Sequence, residues 1–166
     1  NNLLEIIDHK HNNLTKINIS PMNGQFIFND DNYLLGKSDE NNNEFDVTLK
    51  KFLFHQISNL GIVEIPPNSR VKTIGEYAFS TTNIIKFFIT ATITKICRNA
   101  FVLCEYLTFV EFAPNSNLIK IRLGAFSSTN IEEIVIPASV LDIGEYLLGA
   151  FSYAHITTIF IPSNIC

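Results

Sequence analysis

The chain has 166 residues, of which 46% are apolar and 17% charged, and its net charge at pH 7 is −4. This length suits one domain with a sizeable core, and the apolar content excludes a disordered chain. The mild negative charge and the scattered Lys and Arg residues argue against binding to nucleic acid through phosphate contacts.

The first predicted element is a repeat strand over residues 12–20. Its apolar residues Leu14, Ile17 and Ile19 follow the pattern apolar-x-x-apolar-x-apolar, which ends in the alternation typical of a half-buried strand. Asn13 and Asn18 form N-glycosylation sequons, which matter only if the chain is secreted. The preceding Asp8-His9-Lys10-His11 segment could bind a metal ion. Such spacing is a weak signal, so we interpret the segment as solvated.

Residues 21–59 interrupt the pattern and are predicted to form a hairpin and loop insertion. Two extended runs, 25–28 and 33–36, flank an Asn/Asp turn, and a further extended run covers residues 45–54. The strand pattern then resumes, with its last apolar residue at Ile65. The 46 residues from Ile19 to Ile65 correspond to two periods of 23. The insertion therefore replaces one strand of the stack.

Residues 60–166 are predicted to be regular repeats of 22–25 residues, the sequence signature of a solenoid. Three patterns recur in one phase. Ala-Phe pairs occur at residues 78–79, 100–101, 125–126 and 150–151. An apolar residue followed at +3 by Ile precedes each pair, with the Ile at 74, 96, 121 and 143. The strand pattern ends at Ile65, Ile89, Phe112, Ile136 and Ile161.

The residue types indicate how one coil is built. Proline follows most of the strands within two residues, at Pro21, Pro66, Pro114, Pro137 and Pro162, and stops the hydrogen-bond ladder there. The Ala of each pair is predicted to lie where coils approach closely. The Phe residues are predicted to form a buried stack, one ring per coil: Phe79, Phe101, Phe126 and Phe151. Asn often precedes the strand, as at Asn83 and Asn130, and we interpret this column as a corner that tolerates left-handed backbone and bonds to the next coil.

No chemistry-bearing motif is recognisable. Cys97, Cys104 and Cys166 are too few and too widely spaced for a zinc site or a disulfide framework, and buried thiols are the better interpretation. No nucleophile motif or glycine-rich phosphate loop occurs. The chain is therefore predicted not to be an enzyme and to need no cofactor or metal.

The repeats resemble the BspA-type leucine-rich repeats, which carry an Ile-Pro strand end, an Ile-Gly pair, an Ala-Phe pair and a Cys three residues later. Ile-Pro occurs at 65–66, 136–137 and 161–162, Ile-Gly at 74–75 and 143–144, and Cys104 matches the Cys. Cys97 and Arg122 replace the Gly. The resemblance implies a mainly β, right-handed leucine-rich-repeat solenoid of parallel strands with short turns and a β-hairpin insertion, in a single domain over residues 1–166.

The family resemblance also implies a function. BspA-type proteins are found on the surfaces of bacteria and parasitic protists, where they are associated with antigenicity and with adhesion to host matrix proteins such as fibronectin. The chain is thus expected to be a non-catalytic, surface-exposed or secreted module for protein binding or adhesion. The alternatives are an intracellular scaffold in the cytoplasm and a structural spacer in a longer repeat array.

The candidate binding surface is the outward strand face, because residues between the inward positions of a strand point away from the core. Exposed apolar side chains that alternate with charges often mark a binding site. Alternatively, the insertion or another copy covers this face, or strands simply favour such residues. The candidate residues are Ile62, Glu64, Lys86, Phe88, Phe109, Glu111, Glu133, Val135 and Phe160.

The C-terminal segment from Ile156 to Cys166 is apolar and uncharged and lacks a recognisable polar cap. Either further repeats follow it, or this edge pairs with another copy, in which case Cys166 could form an intermolecular disulfide. Self-association through the C-terminal edge is therefore expected. Residues 146–166 carry no charge, but their polar residues and repeat pattern argue against a membrane span.

Overall fold

The computed structural model describes residues 26–29, 33–37, 47–52, 61–65, 71–144 and 149–163. The predicted first strand over residues 12–20, the two sequons, the segment from Asp8 to His11 and Cys166 lie outside these residues. The side chains of residues 26–52 and of Glu64 lie outside the description as well.

Twelve short strands occur in the described part of the chain, and no helix longer than a turn accompanies them. Their bounds are β1 Phe26–Asn29, β2 Tyr33–Lys37, β3 Val47–Phe52, β4 Ile62–Glu64, β5 Thr73–Ile74, β6 Lys86–Ile89, β7 Lys95–Ile96, β8 Phe109–Phe112, β9 Lys120–Ile121, β10 Glu133–Val135, β11 Asp142–Ile143 and β12 Thr158–Phe160.

The repeat strands stack in parallel, coil on coil. The even-numbered strands β4, β6 and β8 form one sheet, and β10 and β12 form another. The two-residue strands β5, β7, β9 and β11 follow one another in a separate sheet, in which Ile74, Ile96, Ile121 and Ile143 share one register position. The predicted fold class, a mainly β solenoid of parallel strands, is confirmed.

The insertion extends the sheet of short strands. β1 pairs with β2 in an antiparallel hairpin, and β2 pairs with β3, also antiparallel. β3 then runs parallel to β5, with Leu49 opposite Ile74. The extended run after the hairpin is thus a third strand that joins the insertion to the solenoid. The resulting sheet has seven strands in the order β1-β2-β3-β5-β7-β9-β11.

The four Phe rings of the Ala-Phe pairs form the predicted buried stack. Phe79, Phe101 and Phe126 are fully buried, and Phe151 is 3% exposed. Successive ring centroids are 4.9, 5.2 and 5.5 Å apart, with the ring planes within 8° of parallel. Phe87 meets two of these rings edge-on, at 4.8 and 4.9 Å. Because the rings continue from coil to coil, each coil completes the core of its neighbour.

Backbone hydrogen bonds join the Ala-Phe turns of successive coils. The Phe79 amide donates to the Ala100 carbonyl at 2.8 Å, and the Phe101 and Phe126 amides repeat this bond to the next coil's Ala at the same distance. The three alanines that accept are fully buried, so a larger side chain would push the turns apart. Ala is therefore required by the close approach of the coils, as predicted.

Apart from Gly61 and Gly144, the left-handed residues among those described lie in the Ala-Phe turns and not at the Asn column. Positive φ occurs directly before the Ala and two residues after the Phe. The residues concerned are Tyr77, Asn99, Gly124, Thr81, Leu103, Ser128 and Tyr153. Asn83 and Asn130 have no positive φ, and their side chains make no hydrogen bond among the described residues. The corner role that the sequence suggested for these asparagines is wrong.

The residue three positions after the Phe makes a side-chain hydrogen bond in three of the four coils, within its own turn for Thr82 and Thr129 and to the preceding coil for Cys104. The Thr82 and Thr129 hydroxyls donate to the Phe79 and Phe126 carbonyls at 2.7 and 2.9 Å. The Cys104 thiol is buried and donates to the Phe79 carbonyl at 3.0 Å. Cys104 is thus a buried thiol, as predicted, whereas Cys97 is only half-buried.

Candidate protein-binding surface

The repeat strands separate inward from outward side chains as the alternation predicts. Val63, Phe87, Val110 and Ile134 point into the core and are at most 6% exposed. The apolar candidates between them point outward. Their exposed fractions are 47% for Ile62, 41% for Phe109, 61% for Val135 and 50% for Phe160.

The β4-β6-β8 sheet brings the first candidates into one aromatic and charged cluster. Its register aligns Ile62 with Lys86 and Phe109. The Lys86 ammonium lies 5.7 Å from the centroid of the Phe109 ring, within the range of a cation–π interaction. Phe88 is half-buried, and its ring centroid is 6.1 Å from that of Phe109. Much of the Phe88 ring is therefore covered by its neighbours.

The last two strands extend this face. Val135 lies opposite Phe160 in the parallel β10-β12 pair, so two exposed apolar side chains are neighbours. Glu133 precedes Val135 on the same outward face, and Glu111 occupies the outward position of β8. Both glutamates are exposed and make no ion pair with a described residue. The backbone of Glu64 aligns with that of Phe88, while its side chain lies outside the description.

A cleft that the repeat pattern does not predict separates the two halves of the strand face. No ladder of hydrogen bonds joins β8 to β10, although the two strands are neighbours. The cleft has a volume of about 740 Å³, within the roughly 300–1,000 Å³ range of ligand pockets. It is lined by residues 108–114, Ser116, 132–135 and 137–139.

Phe112 departs from its column at this separation. It ends β8 at the position where other strands have Ile65, Ile89 and Ile136, each at most 3% exposed, and Ile161, which is 42% exposed. Phe112 is only half-buried and lines the cleft. A ring is bulkier than isoleucine, and overpacking between coils displaces backbone. The one sequence signal at the cleft was a Phe in a column of Ile.

The opposite side of the solenoid, formed by the short strands, is basic. Lys95, Arg98 and Arg122 line a depression of about 320 Å³ there, together with the single acidic residue Glu76. Asp142 accepts a hydrogen bond from Arg122 at 3.3 Å and lies 4.0 Å from the Lys120 ammonium. These cations look scattered in the sequence, but the coil period brings them together. The interpretation that no basic cluster exists is wrong for this face.

The described residues hold neither a metal-binding cluster nor a membrane-spanning helix. These residues contain no group of three or more His, Cys, Asp or Glu that could hold a metal ion. They also contain no helix that is long and apolar enough to cross a membrane.

The repeats match a known family model. The model of the BspA type leucine rich repeat region aligns with residues 41–149 in six copies. The chain belongs to the BspA-type leucine-rich repeat family. The Ile-Gly and Ala-Phe positions that the sequence analysis used for the resemblance thus lie largely within a stretch matched by the family itself. No significant match was found among curated proteins.

Solved structures of similar fold come from bacteria. A leucine-rich repeat protein from Bacteroides capillosus is 26% identical, with a TM-score of 0.59, and the match covers 80% of this BspA-type chain and 99% of that one. The pneumococcal vaccine antigen PcpA is 22% identical (TM-score 0.54), and the match covers 58% of this chain and 24% of PcpA. A leucine rich cell surface protein from Faecalibacterium prausnitzii is 21% identical (TM-score 0.51), and the match covers 92% of this chain and 45% of that one.

Proposed function

We propose that the chain is a non-catalytic binding module that attaches to other proteins, in an adhesive role at a cell surface, through its outward strand face. The observation that carries this proposal is the run of exposed apolar side chains on that face, from Ile62 to Phe160. Leucine-rich repeat domains generally mediate protein–protein interaction, which supports the same role. The candidate residues are Ile62, Glu64, Lys86, Phe88, Phe109, Glu111, Glu133, Val135 and Phe160.

The physical chemistry of the face favours binding. Phe109, Val135 and Phe160 are 41–61% exposed, and covering them with a partner would remove apolar surface from water. They project from strands within a stacked solenoid, so little conformational entropy is lost when a partner docks. Aromatic side chains on such a surface commonly provide most of the binding free energy.

The proposed surface location and adhesive role are supported by the names of two proteins of similar fold. One similar structure is named a cell surface protein and another a vaccine antigen. A surface protein with an apolar and charged strand face is suited to bind matrix proteins, and fibronectin is the first partner to test. A spacer would need no exposed apolar face, whereas a cytoplasmic scaffold would use the same face for intracellular partners.

The test uses immobilised fibronectin, laminin and collagen with the purified chain, measured by surface plasmon resonance. Val135→Arg places a charge at the centre of the face. It is expected to weaken binding at least thirtyfold, the effect of losing a hot spot worth about 2 kcal/mol. The matched control is Leu141→Arg, because Leu141 is equally exposed (62%) but lies beside the short strands.

Equal losses in the two variants, or no binding to any matrix protein, would contradict adhesion through this face. Location is tested separately, by labelling intact cells with an antibody against the chain. Labelling only after the cells are permeabilised would favour the cytoplasmic scaffold.

A further inference from the structure

The cleft between β8 and β10 has the chemistry of a site for cationic side chains. We propose that it receives arginine side chains from an extended segment of a partner protein, an inference that rests on the proposed function and names the partner's chemistry. Its shape, charge and apolar lining each support this assignment.

The spacing of the two strands favours side chains over a backbone strand as the occupant. β8 and β10 approach within 8 Å between Cα atoms. A third strand between them would need about twice the usual strand spacing, or about 9.5 Å. The cleft is therefore too narrow for strand insertion. Its volume of about 740 Å³ nevertheless exceeds what one side chain fills, so several side chains of one segment can enter it.

The charge of the cleft is negative. Glu111, Glu132 and Glu133 all line it, are exposed, and have no ion-pair partner among the described residues. The only lysine of β8 and its neighbour β6 is Lys86, whose ammonium already lies over the Phe109 ring. Three carboxylates beside apolar walls concentrate negative potential, which attracts a cationic segment.

The apolar walls suit the long stems of cationic side chains. Phe109 and Val135 line the two sides of the cleft, and Pro114 and Pro137 line it further along the chain. Arg and Lys bury their methylene stems along apolar surface while the charged head stays near water and carboxylates. The Lys86–Phe109 contact shows that the Phe109 ring already holds one cation at 5.7 Å.

The arrangement of the carboxylates favours arginine over lysine. Glu132 and Glu133 are adjacent on one side of the cleft, and Glu111 lies on the other. The guanidinium carries five N–H donors in a planar fork and can serve two carboxylates together, whereas an ammonium is a single point charge.

The probe is a short synthetic peptide of alternating arginine and valine, labelled with fluorescein and titrated by anisotropy. The first control peptide has citrulline in place of arginine, which keeps the shape and removes the charge. A lysine–valine peptide is the second. We expect the arginine peptide to bind most tightly, the lysine peptide several-fold more weakly, and the citrulline peptide not measurably. Added salt should weaken the binding, because exposed charges are screened.

Two double variants are compared for their affinity for the arginine peptide. Glu132→Gln/Glu133→Gln changes the cleft, and Glu76→Gln/Glu105→Gln is the control. Both remove two exposed carboxylates, so the net charge changes equally, but neither Glu76 nor Glu105 lines the cleft. The cleft variant should lose about three- to tenfold in affinity, as expected for two partly screened ion pairs. The control should lose less than about twofold.

Equal losses in the two double variants, or equal binding of the citrulline peptide, would overturn the assignment. That outcome is distinguishable from failure of the proposed function. If Val135→Arg abolishes matrix binding while the cleft variant binds the arginine peptide like wild type, the strand face binds proteins without this chemistry. If the arginine peptide binds as expected and no matrix protein does, the cleft assignment holds and adhesion to matrix fails.

Discussion

The continuous Phe stack makes Phe126→Ala the sharpest test of the core. Phe126 is fully buried and stacks on a ring at each side, 5.2 Å from Phe101 and 5.5 Å from Phe151. A buried Phe removes roughly 150 Å² or more from water, which is worth about 4 kcal/mol at 25 cal/mol per Å². Each stacked pair adds about 0.5–1.5 kcal/mol.

The expected loss in the free energy of unfolding of Phe126→Ala lies at the upper end of the usual range of about 3–5 kcal/mol for Phe-to-Ala changes in cores. The cavity would be walled by two rings that belong to separate coils, and neither can move inward without breaking its own turn. Phe151→Ala is the matched comparison, because that ring stacks on one side only within the described residues. It should cost about 1 kcal/mol less.

Urea unfolding followed by far-UV circular dichroism measures both losses. The chain has no Trp, so tyrosine fluorescence provides the second probe. If Phe126→Ala unfolds the chain outright, Phe126→Leu retains part of the volume and should lose about half as much. A loss below about 1 kcal/mol in the alanine variant would show that the ring is not buried and that the repeat register is wrong.

Two further changes test the turns and the last strand. Gly124→Ala should lower the free energy of unfolding by about 1–3 kcal/mol, since Gly124 has φ +68° and an added Cβ would collide with the Asn99 Oδ1 atom. Gly149→Ala is the control, because Gly149 has an ordinary φ and its Cβ would meet only a flexible side chain. It should lower the melting temperature less than Gly124→Ala does. The isolated chain should self-associate through β12, where Phe160 and Ile161 are 50% and 42% exposed. Sedimentation under reducing conditions should show species larger than the monomer, and the Ile161→Asp variant should sediment as a monomer. A wild-type chain that stays monomeric at high concentration would contradict this expectation.

The core was predictable because the coil period places equivalent residues at equivalent depths. Ile74, Ile96 and Ile121 share a column in the sequence and are all fully buried. The outward positions followed from the same periodicity, so Val135 and Phe160 could be assigned to the exposed face. Pattern alone suffices for such properties, because alternation and period fix the direction of a side chain.

The left-handed residues could not be assigned from residue type. The sequence suggested asparagine, but Tyr77, Leu103 and Tyr153 adopt positive φ. Bulky residues rarely do so unless the surrounding structure imposes it. Here the inter-coil bonds between the Ala-Phe turns impose it, and these bonds depend on neighbouring coils that no local pattern describes.

The cleft was missed for a related reason. Phe112, the residue that departs from its column there, differs from the isoleucines at equivalent positions in volume, and both residue types fit an apolar strand pattern equally well. The basic face was missed because its cations lie two dozen residues apart. Aligning the repeats column by column, with charge and volume recorded for each column, would have revealed both features.

The break between β8 and β10 also affects how the solenoid responds to force. On that side no hydrogen-bond ladder crosses between the coils, whereas on the other side β9 and β11 remain paired, with Ile121 opposite Ile143. Bending that widens the cleft therefore breaks no ladder bond, while bending in the opposite sense must separate β9 from β11. The solenoid is thus easier to bend between the coils of β8 and β10 than a continuous sheet would be. Tension on a ligand held in the cleft would bend it there first.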